Sequence, residues 1–354
     1  MASEKKLCYV RDLVPGMILS KEVRANGIVL IGKDVTITEA AINKLKEYYI
    51  GEKIEIYYEN EEDYRNNTIE KIRTVEEVEE TLSELTFDSE AIFNDMDNIR
   101  AAGIDEIRKF ASKIQDELKS TSSVIKNIVL YGSGTDCIYR HSVNVTALST
   151  ILGKWVGLNG SELNLLTYSA ILHDFGKTKI EQDIIEKPDS LTAKEFKEIK
   201  NHVTIGYNYI KEIKFLDKSV SFGVLMHHER MDGSGYPLGL KEEQIHKFAK
   251  IIGIADVFDA VNSDRSYKKS RGPFEALEII KKESLGRLNY EYCNIFINHI
   301  INYYMGESVV LNNGKVCKII QIDPNNLNRP LILDETGFLD MKKHKELHIE
   351  KLIL

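Results

Sequence analysis

Hydrophobic positions recur at two different spacings along the chain, and the changes of spacing divide it into segments. The first 60 residues contain the short apolar stretches LCYV, MILSKEV and IVLI, separated by the turn signals PG and NG, and then a helical pattern in TITEAAINKLKEYYI. Short apolar runs bounded by glycine and proline are typical of strands. We therefore predict a small N-terminal α+β module over residues 1–60, with a structural or regulatory role.

The next segment, residues 61–104, is acidic and compatible with a helix, as in RTVEEVEETLSELTFDSEAIF. A charge run of this kind usually forms the solvated face of a helix. We predict a helical linker that bridges the flanking domains and can also serve as the contact of a homodimer.

Residues 105–305 and 306–354 differ in their patterns. Long segments with apolar residues three and four positions apart dominate the first range, which predicts amphipathic helices. The tail returns to strand-like stretches such as SVVLNNGKVCKIIQID, in which NNG signals a hairpin. The predicted protein is mainly α, with a helical domain over 105–305 and a short β-rich appendage over 306–354.

Composition and charge exclude several classes of protein. The 354 residues are 43% apolar and 29% charged with six prolines, which indicates globular domains rather than a disordered chain. A net charge of −8 argues against binding to a nucleic-acid polymer, but it leaves room for a local basic pocket that holds a small anion. No stretch has the roughly 20 consecutive apolar residues of a membrane span.

The four cysteines lie far apart and show no paired spacing. This favours reduced thiols over a disulfide framework or a zinc ribbon. The N-terminal stretch MASEKKLCYVRDLVPG lacks the apolar run of a signal peptide. We therefore expect a cytoplasmic protein.

Histidines and aspartates concentrate on the inward faces of the predicted helices. His141 shares its helix face with Val145 and Leu148, and Asp256 lines up with Ile252. The inward-facing set comprises His141, His173, Asp174, His202, His227, His228 and Asp256. Burying so many ionisable groups is unfavourable unless they are paired or bind metal. Helical bundles build di-metal sites from ligands on facing helices.

The residue types in this set indicate the chemistry. Imidazole and carboxylate groups without a thiolate suit iron, manganese, nickel or zinc better than they suit a structural zinc site. The carboxylate in the HD pair at 173–174 is well suited to bridge two metals. Two metals about 3.5–4 Å apart can hold a hydroxide and stabilise the charge that develops on a phosphoryl group. The set therefore predicts phosphoester hydrolysis.

Four stretches resemble the motifs of the HD-GYP phosphodiesterases, bacterial hydrolases of cyclic dinucleotides. They are HDFGK (173–177), His202, HHERMDGSGYPLGL (227–240) and IADVFDAVNSDRSYKK (254–269). The resemblance covers roughly residues 105–305 and implies an HD-type helical bundle. It further implies hydrolysis of cyclic di-GMP to linear pGpG, with GMP as a further product, through a metal-activated hydroxide.

The resemblance also implies roles for the matching positions. One metal would be bound by His141, His173, Asp174 and Asp256, and a second by His202, His227 and His228, with Asp174 bridging the two. Lys177 would lie beside the scissile phosphate as an electrostatic stabiliser or proton donor. Arg265 and Lys268 would contact the phosphates of the ligand. We expect the two divalent ions to be iron or manganese.

The loop DGSGYP, residues 232–237, has the composition of a shaped binding loop. Gly233 and Gly235 permit positive φ or a close approach of the backbone, and Pro237 stiffens the exit. Tyr236 is then expected to project toward the ligand, where it can hydrogen-bond a phosphate or stack on a base. We expect Gly235 and Tyr236 to form part of the substrate-binding site.

The sequence leaves alternatives open for the number of metals, for the substrate and for catalysis itself. One helical turn before His141, where some family members carry a glutamate that helps to hold a third metal, this chain has Cys137, so two metals are expected. The base-contacting residues that would distinguish cyclic di-GMP from a cyclic GMP-AMP dinucleotide cannot be identified. A non-catalytic protein that binds a cyclic dinucleotide is a further alternative.

Overall fold

The structure is a computed structural model that describes residues 4–10, 13–25, 28–38, 41–43, 45, 53–58, 74–120, 123–132, 138–185, 187, 189–263 and 273–353. By its internal contacts the chain divides into two compact units. One unit comprises Arg73–Ile297, and the other comprises Met1–Ile72 together with Asn298–Leu354.

The unit over Arg73–Ile297 is helical in the parts that the structure describes. Its α-helices are α1 (Val75–Asn94), α2 (Met96–Ala102), α3 (Asp105–Ser120), α4 (Ser123–Tyr131), α5 (Ile138–Trp155), α6 (Gly160–Leu172), α7 (Gln182–Ile185), α8 (Ala193–Lys200), α9 (His202–Ile210), α10 (Lys218–Met226), α11 (Lys247–Asn262) and α12 (Pro273–Glu283), and α13 (Tyr290–Ile300) extends across the unit boundary. Short 3-10 helices cover Phe175–Lys179 and Glu242–Gln244. None of the described helices combines the length and the apolar character that crossing a bilayer requires.

Helix α5 lies at the centre of this unit. It packs against α1, α6 and α11, and α10 in turn packs against α6, α9 and α11. Val145, Leu148 and Leu152 on α5 are fully buried, as the spacing in the sequence predicts. This packing brings the beginning of α5 and the middle of α11 close to the C-terminal ends of α6 and α10.

Helix α1 starts with a capping box, in which Thr74 accepts a hydrogen bond from the Glu77 backbone N–H and the Glu77 carboxylate accepts one from the Thr74 backbone N–H. Leu82 and Leu85 are fully buried where the helix packs against α5. The structure thus groups α1 with the helical unit, whereas the sequence predicted a linker over 61–104. The difference arises because this acidic stretch also has apolar residues along one face of the helix. That face is buried against a neighbouring helix. The boundaries between the four predicted segments stay a prediction.

The other unit contains the strands. In its N-terminal part, β1 (Glu4–Tyr9) pairs antiparallel with β4 (Lys53–Tyr58), and β2 (Val23–Ala25) pairs with β3 (Ile28–Ile31). Leu19, Ile37 and Leu45 form part of its core. The C-terminal part contains the strands β5 (Ser308–Leu311), β6 (Val316–Asp323), β7 (Asn326–Asp334), β8 (Gly337–Asp340) and β9 (Ile349–Ile353). They form a five-stranded antiparallel sheet in the order β8-β7-β6-β5-β9.

Candidate metal centre

The seven inward-facing histidines and aspartates of the sequence prediction come together in the helical unit. His141 lies in α5, His173 and Asp174 follow α6, His202 begins α9, His227 and His228 follow α10, and Asp256 lies in α11. Their nitrogen and oxygen atoms form two clusters, within each of which these atoms lie no more than 4.8 Å apart. The first cluster is His141, His173 and Asp256, and the second is Asp174, His202, His227 and His228.

Asp174 lies between the two clusters and faces both. Its Oδ1 atom is 3.2 Å from His202 Nε2 and 4.0 Å from His227 Nε2. Its Oδ2 atom is 3.4 Å from His173 Nε2 and 3.6 Å from His141 Nε2. One carboxylate therefore offers a separate oxygen to each cluster, which is the arrangement of a bridging ligand.

Three of the histidine rings are oriented by the backbone of the helix that precedes or contains them. The Nδ1 atoms of His173, His202 and His227 lie 2.7, 2.7 and 2.8 Å from the carbonyl oxygens of Ala170, Ile199 and Val224, three residues earlier in each case. Because a carbonyl oxygen only accepts hydrogen bonds, each Nδ1 must carry the proton. The lone pair of each Nε2 is then available to a metal.

His141 is oriented by a side chain instead. Its Nδ1 lies 2.7 Å from Oδ2 of Asp259, and its Nε2 lies 3.2 Å from Oδ1 of Asp256. Asp259 is fully buried. The sequence interpretation missed Asp259, although it follows Asp256 by three residues and therefore occupies the same helix face. That spacing was the available signal.

Gly176 allows Asp174 and His202 to come close together. A Cβ atom at Gly176 would lie 2.0 Å from the carbonyl oxygen of His202 and 2.9 Å from the backbone nitrogen of Gly206. No side chain larger than hydrogen fits here without moving α9 away from the 3-10 helix. Gly176, the glycine of HDFGK, thus allows the short distance between Asp174 and His202.

The protonation states of His227, His228 and Asp174 suit a cation. Burial lowers the pKa of His227 and of His228 well below the usual value, because a charged ring would lose its solvation and would be repelled by any other protonated histidine of the cluster, so both rings are neutral. Burial alone would raise the pKa of Asp174, but Lys177 and His173 hold it well below its usual value, so the carboxylate is charged. Neutral imidazole and ionised carboxylate are the forms that bind metal.

Several atoms of the centre also need a partner that the described part of the chain does not supply. Nε2 of His141, Nε2 of His173 and Oδ1 of Asp174 are buried and have no hydrogen-bond partner among the described residues. Buried polar atoms are rarely left in this state. Because these atoms converge on the space around Asp174, the residues present fit a divalent metal ion.

Lys177 adds a positive charge at the edge of the centre. Its Nζ lies 2.5 Å from Oδ2 of Asp174, and its side chain is 20% exposed. It therefore contacts the central carboxylate while staying accessible to a ligand that enters the site. The sequence predicted this location, and its catalytic role stays a prediction.

Tyr236 forms one wall of the site. Its ring stacks on His228 with 4.7 Å between the centroids, and Nζ of Lys200 lies 4.9 Å from the tyrosine centroid. Burial and the charges of Asp256 and Asp174 raise the pKa of Tyr236, so the phenol stays a hydrogen-bond donor. The sequence interpretation missed Lys200, whose only signal is its position two residues before His202.

The loop that carries Tyr236 is held by the buried carboxylate of Glu229. Its two oxygens accept hydrogen bonds from the backbone N–H groups of Leu238, at 2.7 Å, and Leu240, at 2.9 Å. Gly235 packs directly on the preceding backbone, since a Cβ there would lie 2.3 Å from the nitrogen of Arg230 and 2.4 Å from Cα of Glu229. The shape of the loop thus depends on Gly235.

Replacing Gly235 with alanine is expected to displace Tyr236 and to raise KM for the substrate about tenfold or more, which corresponds to roughly 1.4 kcal/mol of lost contact. The physical reason is that the added methyl group meets backbone atoms, which cannot rotate away. Steady-state kinetics measures the effect on KM, and elemental analysis separately measures any effect on the bound metal. The bound metal should be unchanged, because the displaced part of the loop lies beyond His228.

Ser234→Ala is the matched control, because this neighbouring side chain is exposed while its backbone N–H bonds Asp232 at 2.9 Å and is retained. An unchanged KM in Gly235→Ala, or an equal rise in Ser234→Ala, would contradict the prediction.

Three predicted positions lie outside the described residues. They are Arg265, Lys268 and Cys137. The phosphate contacts predicted for Arg265 and Lys268, and the effect of Cys137 on a third metal, stay predictions.

Comparison with known proteins finds similarity to one domain family and to several phosphodiesterases. Residues 121–290 match the profile of the family described as HD domain. A cyclic di-GMP phosphodiesterase of Pseudomonas aeruginosa is 29% identical over 226 residues, which cover 63% of this chain and 54% of that protein. One of Borreliella burgdorferi is 34% identical over 192 residues, covering 54% of this chain and 50% of that protein.

Relatives with another substrate also match. A 3'3'-cGAMP-specific phosphodiesterase of Vibrio cholerae is 33% identical over 190 residues, which cover 53% of this chain and 43% of that protein. The chain thus spans about half the length of the curated relatives that it matches.

A solved structure supports the fold. An HDG"Y"P protein from Bdellovibrio bacteriovorus superposes with a TM-score of 0.51 at 18% identity, covering 84% of this chain and all of that one. With the family match, this confirms the predicted mainly α fold with an HD-type helical domain.

Proposed function

We infer that this chain, whose residues 121–290 match the HD domain profile, is a metal-dependent phosphodiesterase that hydrolyses cyclic di-GMP to linear pGpG, with GMP as a further product. The observation that carries the proposal is the position of Asp174, whose two oxygens face two separate histidine clusters. Lys177 and Tyr236 stand at the edge of the same centre, where an anionic ligand would enter. Two divalent ions, iron or manganese, would complete it.

The chain's own residues have distinct tasks in this proposal. His141, His173, Asp174 and Asp256 would hold one ion, and Asp174, His202, His227 and His228 would hold the other. When bound, the two ions supply activation of water and neutralisation of phosphate charge. The ammonium of Lys177 stabilises the negative charge of the phosphodiester and can give a proton to the leaving 3′ oxygen.

Further contacts would hold the substrate. The phenol of Tyr236 donates to a phosphate oxygen or stacks on a base, and Lys200 beside it adds a positive charge. Arg265 would grip a second phosphate with its planar guanidinium, and Lys268 would add a charge there. These contacts would keep the scissile phosphate over Asp174.

Two alternatives give different outcomes in the same assay. The cGAMP-specific relative favours a cyclic GMP-AMP dinucleotide as the alternative substrate. A non-catalytic receptor for a cyclic dinucleotide is the other, and the complete set of seven inward-facing histidines and aspartates speaks against it. The dimer contact over 61–104 and the cytoplasmic location stay predictions.

The test is product analysis on defined metal forms. The protein is made metal-free, reloaded with Mn²⁺ or Fe²⁺ under anaerobic conditions, and incubated with cyclic di-GMP and with 3'3'-cGAMP in parallel. The expected result is metal-dependent formation of pGpG, with cyclic di-GMP turned over faster. Faster turnover of 3'3'-cGAMP would establish the alternative substrate, and binding without turnover by metal-replete protein would refute the enzymatic proposal.

A further inference from the structure

An ion pair between a buried arginine and a partly exposed glutamate connects helix α1 to the residue that precedes His141. Arg140 lies in α5 and is 7% exposed. Its guanidinium donates from Nη1 and Nη2 to the two carboxylate oxygens of Glu79 on α1, each at 3.0 Å. This two-point contact fixes the plane of the guanidinium as well as its position.

The ion pair continues into a chain of hydrogen bonds that ends at His141. Nε of Arg140 lies 3.3 Å from Oδ1 of Asn144, Nδ2 of Asn144 lies 2.8 Å from Oδ1 of Asp259, and Oδ2 of Asp259 lies 2.7 Å from Nδ1 of His141. Asn144 and Asp259 are fully buried.

Each bond in this chain has only one possible direction. A guanidinium only donates, so the amide oxygen of Asn144 must face Arg140. The amide nitrogen of Asn144 must then donate to the carboxylate of Asp259. The other oxygen of Asp259 accepts the Nδ1–H of His141, which leaves the Nε2 lone pair of His141 directed into the centre.

We propose that Glu79 is a positioning residue for the metal centre, acting through Arg140, Asn144 and Asp259 to orient His141. The inference rests on the proposed function only in taking His141 as a metal ligand. Without Glu79 the buried guanidinium loses its charged partner and must hydrogen-bond other acceptors. Asn144, which already accepts from its Nε, is the acceptor that we expect it to use. A rotation of the Asn144 amide would then remove a hydrogen bond from Asp259 and loosen the ring of His141.

The chain of bonds predicts a selective effect. His173, His202 and His227 take their orientation from backbone carbonyls three residues earlier in the chain, so they do not depend on Glu79. Loss of Glu79 should therefore weaken the metal at the cluster of His141, His173 and Asp256. The metal at the other cluster should be unaffected.

The test is Glu79→Gln, with Glu80→Gln as the matched control. The two variants change charge and shape in the same way, but Glu80 is exposed. Metal-free full-length protein is titrated with Co²⁺ and followed by visible absorption, which reports each bound ion. In Glu79→Gln we expect one of two binding steps to weaken about 3- to 10-fold, less than the 10- to 100-fold typical of a residue that bonds a metal-ligating histidine directly. The other step and the Glu80→Gln titration should match the wild type.

Two further measurements separate positioning from a general structural effect. The kcat of Glu79→Gln should fall at limiting Co²⁺ and recover at saturating Co²⁺, with KM for the dinucleotide unchanged. Arg140→Met and Glu79→Gln should also be non-additive in Co²⁺ affinity, since both break the same chain. Wild-type Co²⁺ affinity in Glu79→Gln, equal weakening of both steps, or additive effects would each overturn the inference.

The inference and the proposed function can fail separately. Selective loss of Co²⁺ affinity in Glu79→Gln supports the inference even where neither cyclic dinucleotide is hydrolysed. Normal hydrolysis by the wild type with an unchanged Co²⁺ titration of Glu79→Gln overturns the inference and leaves the function standing.

Discussion

Replacing Asp174 with asparagine is expected to lower kcat by at least about 10²- to 10³-fold, the loss typical of a single group aimed at developing charge. Asparagine keeps the shape of the side chain but removes the negative charge that lies between the two clusters. It also presents an amide NH₂ in place of one of the oxygens that face His173 and His202. Both the charge and one ligand atom of the bridge are lost.

Metal content should fall together with activity. Elemental analysis after reconstitution is expected to find two ions in the wild type and fewer in Asp174→Asn. A bound ion stabilises the folded state by an amount that grows with its concentration, about 2.7 kcal/mol at a hundredfold excess over Kd. A chelator should therefore lower the melting temperature of the wild type by more than that of the variant.

Asp183→Asn is the control for this experiment, because it makes the same change at an exposed carboxylate in the helix that follows the site. It should retain wild-type activity and metal content. An Asp174→Asn protein with two bound ions and a kcat within a few fold of wild type would show that Asp174 does not bridge.

The affinity of the metal-free protein for a divalent metal should rise steeply with pH. Burial alone would lower the pKa of His141, but the carboxylates of Asp256 and Asp259 outweigh it and raise this pKa from 6.5 to about 9. A protonated ring cannot bind a metal, so a proton must leave before the ion binds. Between pH 6.5 and 8.5 the apparent affinity of the metal-free protein for Mn²⁺ should increase by about tenfold per pH unit.

The same shift has the opposite sign for the stability of the metal-free fold. Because the folded pKa of His141 lies above its ordinary value, its contribution to stability is fully present below pH 6.5 and is lost as the pH rises through about 9. Metal-free protein should therefore unfold more readily at pH 9 than at pH 7. Metal-loaded protein should not, because tighter binding offsets the loss.

Calorimetry in buffers of different ionisation enthalpy measures the proton released on Mn²⁺ binding. We expect release of about one proton at pH 7. Asp259→Asn removes one of the two carboxylates that raise the pKa of His141, so its affinity should level off at a lower pH. An Mn²⁺ affinity that does not change above pH 7 would contradict the prediction.

Much of the centre could be predicted from the sequence because the type and the spacing of its residues indicate a site. Histidine and aspartate at inward positions of apolar helices are unfavourable without a metal or partner, so their number alone indicated a site. The structure brings all seven together. The resemblance implied that Lys177 lies beside the scissile phosphate, and the loop composition predicted that Tyr236 projects toward the ligand; in the structure both side chains lie at the edge of the centre, and their roles stay predictions.

Other features could not be read from spacing. Glu79 belongs to an acidic stretch that looks like a solvated helix face, and only the packing of α1 on α5 places its carboxylate on Arg140. Likewise, nothing local shows that Gly176 lies against the backbone of His202, more than twenty residues away along the chain. These contacts join residues whose distance in space is unrelated to their distance in sequence.

By itself, therefore, the sequence determined the helical class of the central domain, the identity of the candidate ligands and the presence of a shaped loop after HH. These follow from local periodicity and from the chemistry of the residue types, both of which can be read directly from the sequence. The sequence also predicted that Asp174 bridges, and the structure has its two oxygens facing the two clusters. Only the tertiary structure decided that Asp259, Asn144 and Arg140 connect His141 to α1. The physical reason is that side-chain direction across helices depends on how the helices pack, and a hydrogen bond requires that geometry to within a few tenths of an ångström.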